Sequence, residues 1–156
     1  MIEHQIVDIL LVEDNPCDAE LTQRALKECN ASAIVGVVTN GGEALDFLLA
    51  QGAFSHRDVV ENPRVIFLDL KMPRVGGLEC LRKIRTTEQI SSVPVVILSS
   101  SAEEYDVMES YGLGANSYIV KPVDHDDFFE TVVNVGNYWL SMNRVPSLAA
   151  LPTADR

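Results

Sequence analysis

The sequence predicts an α/β fold: an open, doubly wound sheet of five parallel strands with helices on both faces, a (βα)5 arrangement. Short apolar runs of strand length alternate five times with longer stretches of helical spacing, the pattern of successive βαβ units. The strand runs lack the polar alternation that a wet face would leave, so both sides of the sheet are expected to be covered. At 156 residues, 47% of them hydrophobic, the chain can fill one core and has no room for a second domain of similar size.

The first strand is expected near 6–12, and Asn15 can cap the first helix with Pro16 at its first position, where a missing N–H costs nothing. Leu21, Ala25 and Cys29 then repeat every four residues. After a strand near 33–38, Gly42 opens a second helix carrying Ala44, Phe47 and Leu48. Residues 51–63, QGAFSHRDVVENP, have no period and end in Asn-Pro, a long loop before the strand near 64–69. A third helix follows Gly77 with Leu78, Leu81 and Ile84 on one side. Beyond the strand near 93–98, Ser101 and Glu104 stand in capping-box spacing at the head of a fourth helix that stops at Gly112. The last strand is expected near 117–120, and Asp124 caps a helix from about 125 to 142. The remainder, RVPSLAALPTADR, holds two prolines and is expected to be irregular or weakly docked.

Composition removes several classes of function. With 12 basic and 23 acidic residues the net charge is −11 and no basic patch stands out, which argues against a nucleic-acid partner. Cys17, Cys29 and Cys80 show neither disulfide nor metal spacing and read as reduced cytosolic thiols; His4, His56 and His125 are scattered, so a zinc site or a Cys/His nucleophile is not expected. No run approaches the ~18 apolar residues of a membrane span and no leader segment is visible, so a cytoplasmic protein away from membranes is expected.

Open sheets of this class bind ligands outside the carboxyl ends of their strands. Glu13 and Asp14 follow the first strand, Asp69 ends the third, Ser99 the fourth and Lys121 the fifth. Singly, each has a plain reading: a turn or cap for the acids, a cap neighbour for Ser99, a solvated charge for Lys121. Their joint placement on one edge is what points to a site. Three carboxylates within ~5 Å would repel by roughly 3 kcal/mol per pair at an effective dielectric of 20, so they call for a divalent cation. An all-oxygen, water-retaining set suits Mg²⁺ better than zinc. A neutralised acid can serve as nucleophile toward a phosphoryl donor and form an acyl phosphate; Lys121 would balance the phosphoryl charge and Ser99 would hydrogen-bond one of its oxygens.

The acidic pair Glu13-Asp14, Asp69 in DLKMPRVGG with Pro73 and Gly77 following, Ser99, and Lys121-Pro122 together resemble a response-regulator receiver domain of bacterial two-component signalling, over residues 6 to about 142. The resemblance implies a flavodoxin-like fold with strand order 2-1-3-4-5, a receiver over 1–142 and a tail over 143–156 with no output domain. It implies Asp69 as phosphoacceptor, Asp14 as direct Mg²⁺ ligand, Glu13 as a ligand through water and the carbonyl of Lys71 as a further metal contact. Ser99 takes the place of the switch hydroxyl, Lys121 that of the phosphate-pairing lysine and Tyr118 that of the switch aromatic, with a cis Lys121–Pro122 bond. Glu13 for the commoner Asp and Ser99 for the commoner Thr keep the functional group, whereas Lys71 sets a cation beside the site.

The run Asp-Asn-Pro-x-Asp over 14–18, the long loop before the third strand and Tyr138-Trp139 resemble the stand-alone regulators paired with bacterial phytochrome histidine kinases. The implied function is a phosphorylation switch rather than an enzyme, with at most slow self-dephosphorylation, signalling to a downstream protein or phosphotransfer partner. Two other classes stand against it. A hydrolase of the haloacid-dehalogenase kind wants a second acid two residues past the nucleophile, where this chain has Lys71; a phosphorylation-independent binding module would lack one of the acids or the lysine, and none is missing. Finally, Phe128, Val132, Val135 and Trp139 form one apolar stripe on the last helix, and Phe129, Val133, Gly136 and Leu140 form another beside it. That exceeds one buried face, and two covers are open: the tail through Val145, Leu148 and Leu151, or a homodimer built on this helix with parts of the fourth helix and fifth strand.

Overall fold

The computed structural model describes residues 6–57 and 61–146. Along the chain run β1 (Ile9–Val12), α1 (Pro16–Cys29), β2 (Val35–Val38), α2 (Gly41–Leu48), β3 (Val65–Leu68), α3 (Gly77–Thr86), β4 (Val95–Ser99), α4 (Glu104–Gly112), β5 (Ser117–Val120) and α5 (His125–Asn137). The strands pair in parallel in the order β2-β1-β3-β4-β5, so the order reverses beside β1.

Side chains alternate between two cores, as the period of a strand requires. Leu10, Val12, Ile66, Leu68, Val95 and Ile97 face Phe47, Leu48, Leu81 and Ile84 under α2 and α3. Ile9, Leu11, Val65, Phe67, Val96 and Leu98 face Ala25, Leu26, Phe128 and Val132 under α1 and α5. Each fully buried aliphatic or aromatic side chain contributes roughly 1.5–3 kcal/mol, so the central strands β1, β3 and β4 anchor the sheet. The edge strands differ from expectation. β2 alternates buried and half-buried residues, and β5 is only partly covered, because an edge strand has one neighbour and less helix above it.

Helix starts follow local chemistry. The Asn15 side chain accepts from the amides of Cys17 and Asp18, and the Asp124 side chain from that of Asp127. The second helix starts one residue earlier than Gly42: Asn40 caps it by accepting from the Glu43 amide, while Glu43 reaches back to the Thr39 amide at 2.8 Å. At the fourth helix Ser101 does not close a box with Glu104. Its hydroxyl accepts from the Glu103 amide and donates to Asp106 Oδ2 at 2.5 Å, two residues past Glu104 in the same first turn. The last helix is α-helical to Asn137 and continues as a π-helical turn over Tyr138–Met142.

Of the 51–63 loop, residues 58–60 lie outside the described residues, and the described ones are held more firmly than a structureless loop. They include a 3-10 turn at Gly52–Phe54, the Phe54 ring meets Phe47 edge-on, and the Arg57 guanidinium lies over the Phe47 ring while donating to the Phe47 and Glu61 carbonyls.

The double stripe of α5 resolves within the subunit. Phe128, Val132, Trp139 and Leu140 are buried in the core shared with α1, and Phe129, Val133 and Val135 pack half-buried at its margin. As an exposed dimer strip, Phe128, Val132, Trp139 and Leu140 are therefore corrected, because the helix lies so close to α1 that they are covered, while Val135 stays half-buried at the margin. Gly136 permits that approach, since a Cβ there would fall 2.7 Å from Leu26 Cδ2 and 2.9 Å from Cys29 Sγ. Of the tail residues named as an alternative cover, Val145 is half-buried, and Leu148 and Leu151 lie outside the described residues.

Candidate functional site

The backbone carries each site residue off the carboxyl end of its strand in register. The Glu13 amide donates to Val38 O, the Asp69 amide to Val12 O and the Lys121 amide to Ser99 O at 2.7 Å. This extension of the sheet pattern brings carboxylate oxygens of Glu13, Asp14 and Asp69 within 4.8 Å of one another. Gly77 lets α3 close against the same place, because a Cβ there would sit 2.3 Å from the Asp69 carbonyl oxygen. Its amide donates to Leu70 O across that contact.

Lys121 enters from β5 with its side chain only 8% exposed. Its ammonium lies 2.5 Å from Glu13 Oε1, 2.9 Å from Asp18 Oδ2 and 3.8 Å from Asp69 Oδ2. Burial pushes the Glu13 carboxyl up to about 7, although the Lys121 hydrogen bond and charge oppose it. Burial also raises Asp69, again against the pull of Lys121. Burial alone would lower Lys121, but its bonds to Glu13 and Asp18 outweigh that and leave the ammonium raised. Two buried acids that resist ionisation beside a third, exposed one suit a hard divalent cation, which would discharge the repulsion and hold the carboxylates ionised.

Ser99 is fully buried at the end of β4, and its Oγ accepts from the Ser101 amide at 3.1 Å. Tyr118, on β5, donates its hydroxyl to the Ser101 carbonyl at 2.9 Å. The structure thus links Ser99 and Tyr118 through Ser101, which the sequence had offered only as a helix cap. Lys71 is exposed on the loop after Asp69. The Lys121–Pro122 bond is trans, as are all peptide bonds among the described residues, which corrects the expected cis bond. A prolyl amide prefers trans by only about 0.5–1 kcal/mol, so residue types alone do not choose the isomer.

Asp18 is the site residue that sequence reasoning passed over. Within Asp-Asn-Pro-x-Asp it has an ordinary use already, as an acid in the first turn of a helix set against the helix dipole, so its type and position do not single it out. The signal was its position one helical turn past Asp14.

Comparison with known proteins agrees with this geometry. The sequence model of the response regulator receiver domain matches residues 9–133. The probable methanogenesis regulatory protein FilR2 of Methanothrix harundinacea is 37% identical over 90% of this chain and 88% of its own length. Among solved structures, the phosphorylated cyanobacterial phytochrome response regulator RcpA superposes with a TM-score of 0.83 at 36% identity, covering 89% of this chain and 97% of that one. The Mn²⁺-bound form of response regulator Rcp1, a protein of Synechocystis, gives 0.82 at 34% identity over 88% and 97%. The bacteriophytochrome response regulator RtBRR gives 0.70 at 47% identity over 91% and 86%. With the family's pattern running from the first strand into the last helix, and the same fold in relatives this similar, the chain belongs to the response regulator receiver family.

Proposed function

We propose that Asp69 is the phosphoacceptor of a phosphorylation switch charged by a histidine kinase. The observation that carries this reading is the convergence of Glu13, Asp14 and Asp69 within 4.8 Å beside the buried Lys121 ammonium. One Asp69 oxygen attacks the phosphorus of a phosphohistidine in line; the P–N bond breaks, and the imidazole leaves with the electron pair and takes up a proton. Asp14, Asp69, the Lys71 carbonyl and Glu13 would hold Mg²⁺, which when bound would supply charge neutralisation of the transferring group. Lys121 pairs with a phosphoryl oxygen and orients it. The added −1.5 to −2 charges draw the Ser99 hydroxyl inward, which alters the Ser101 link to Tyr118 and so the α4 side of the molecule.

The resemblance to RcpA and RtBRR supports a phytochrome-type kinase as donor, working in the cytoplasm, and a downstream protein or phosphotransfer partner as receiver of the signal. A homodimer through the α4, β5 and α5 side belongs to the same reading. The protein is a phosphoacceptor rather than an enzyme. Incubation with Mg²⁺ and acetyl phosphate should give an acid-stable, base-labile adduct, absent in Asp69→Asn and after chelation. Labelling that survives either control overturns the assignment.

A further inference from the structure

Lys121 has three N–H donors and three unequal acids around them. Glu13 and Asp69 belong to the group that can close on a cation; Asp18 lies outside that group yet sits 2.9 Å from the ammonium, nearer than Asp69 at 3.8 Å. Asp18 owes this place to the helix cap. Asn15 Oδ1 binds the Asp18 amide at 3.1 Å and fixes the first turn of α1, from which the carboxylate reaches across 103 positions of sequence to the fifth strand. A dipole-complementing acid needs no such partner, and its side chain is only 29% exposed.

We propose that Asp18 is a positioning residue that holds the Lys121 ammonium on the α1 side of the site, off Asp69, so that the Asp69 oxygens stay open to the cation and to the phosphoryl donor. This rests on the reading of Glu13, Asp14 and Asp69 as the metal and acceptor set. A lysine without Asp18 has two remaining acids to turn to, and both are in that set. It then competes with the cation for the same oxygens. Asp18 thus favours metal binding without touching the metal.

Mn²⁺ titration of the full chain by calorimetry tests this with wild type, Asp18→Asn, Asp18→Glu, Lys121→Met and the double variant Asp18→Asn/Lys121→Met, each checked for folding by circular dichroism. Asp18→Asn should weaken Mn²⁺ about three- to fivefold, the upper end of what one partly exposed ion pair is worth, and Asp18→Glu should restore affinity to within about twofold. In the Lys121→Met background the Asp18→Asn change should fall below about twofold, since there is no lysine left to redirect. An unchanged affinity in Asp18→Asn, or an equal loss in both backgrounds, overturns the proposal, the second outcome meaning that Asp18 acts only as a distant charge. Wild type that binds no Mn²⁺, or Asp69→Asn that binds it undiminished, would instead remove the metal and acceptor reading on which the proposal stands.

Discussion

Glu13 shows at the scale of one residue what the site costs the fold. Its ordinary value is 4.5, and burial at 2% exposure pushes the folded value up to about 7. Between those two values the folded protein holds a proton that the unfolded chain has released. The Glu13 contribution is therefore most favourable below about 4.5 and is lost as pH rises through about 7. Urea melts in chelator should show this loss, and Glu13→Gln should flatten it; an identical slope in the variant would reject the assignment. On the proposed reading of the acids as a metal set, Mg²⁺ should restore stability above that range, since a cation that binds the folded set and not the unfolded chain favours folding. Arg74 carries a smaller cost. It has φ of 63° in the loop after Asp69, where a side chain crowds the backbone. Arg74→Gly should be neutral or stabilising by up to about 1 kcal/mol in urea midpoint, in contrast to the usual cost of a new glycine. The acids and Lys121 were legible in the sequence because residue type and strand-end position both pointed one way. Asp18, Ser101 and the Lys121–Pro122 isomer were not, since each depends on a contact or rotation that spacing does not encode.

Elements couple the site to the surface by two contacts that can be separated. Ser101 joins the end of β4 to α4, its hydroxyl 2.5 Å from Asp106 Oδ2, and joins both to β5 through the Tyr118 hydroxyl on its carbonyl. Ser101→Ala removes the first link and leaves the second. The change removes both bonds of the hydroxyl, to Asp106 and from the Glu103 amide, together about 1–2 kcal/mol, so amides of the first turn of α4 should exchange with deuterium about five- to thirtyfold faster while Asp69 still takes up phosphoryl groups. Unchanged exchange would mean that the Ser101 hydroxyl does not hold this turn. On the other face, Gly136 sets how near α5 comes to α1. Gly136→Val should destabilise by roughly 1–3 kcal/mol, read as a lower urea midpoint, because the new carbons meet Leu26 and Cys29. Helix existence was readable from capping residues and spacing, as Asn15-Pro16 and Asp124 show. The depth of the α5 stripe was not, because burial depends on how close the opposing helix comes, and Gly136 marks that approach only once α1 is in place.

At the scale of the whole molecule the chain order of strands and helices was enough to place five reactive residues on one edge, because parallel strands all end on the same side of their sheet. What that logic left open is the outer surface. Phe128, Val132, Trp139 and Leu140 are spent on the subunit's own core, so a homodimer must use other apolar groups. The structure offers Tyr105 and Met108, 67% and 66% exposed at adjacent places on α4, with Tyr111 one further step along and Val120 exposed on β5. Tyr138 and Met142 extend the exposed set beyond α5. Apolar groups gathered on neighbouring elements suit an interface centre, and a charge placed among them is costly once water is excluded. Met108→Glu should therefore shift the sedimentation of the beryllofluoride-treated protein from dimer to monomer at tens of micromolar while leaving its urea midpoint nearly unchanged. Trp139→Glu should do the reverse, lowering the midpoint by several kcal/mol equivalent as a buried charge does. If the untreated and treated wild type both sediment as monomers, the homodimer is wrong, and the α4 and β5 surface is left to a partner of different sequence.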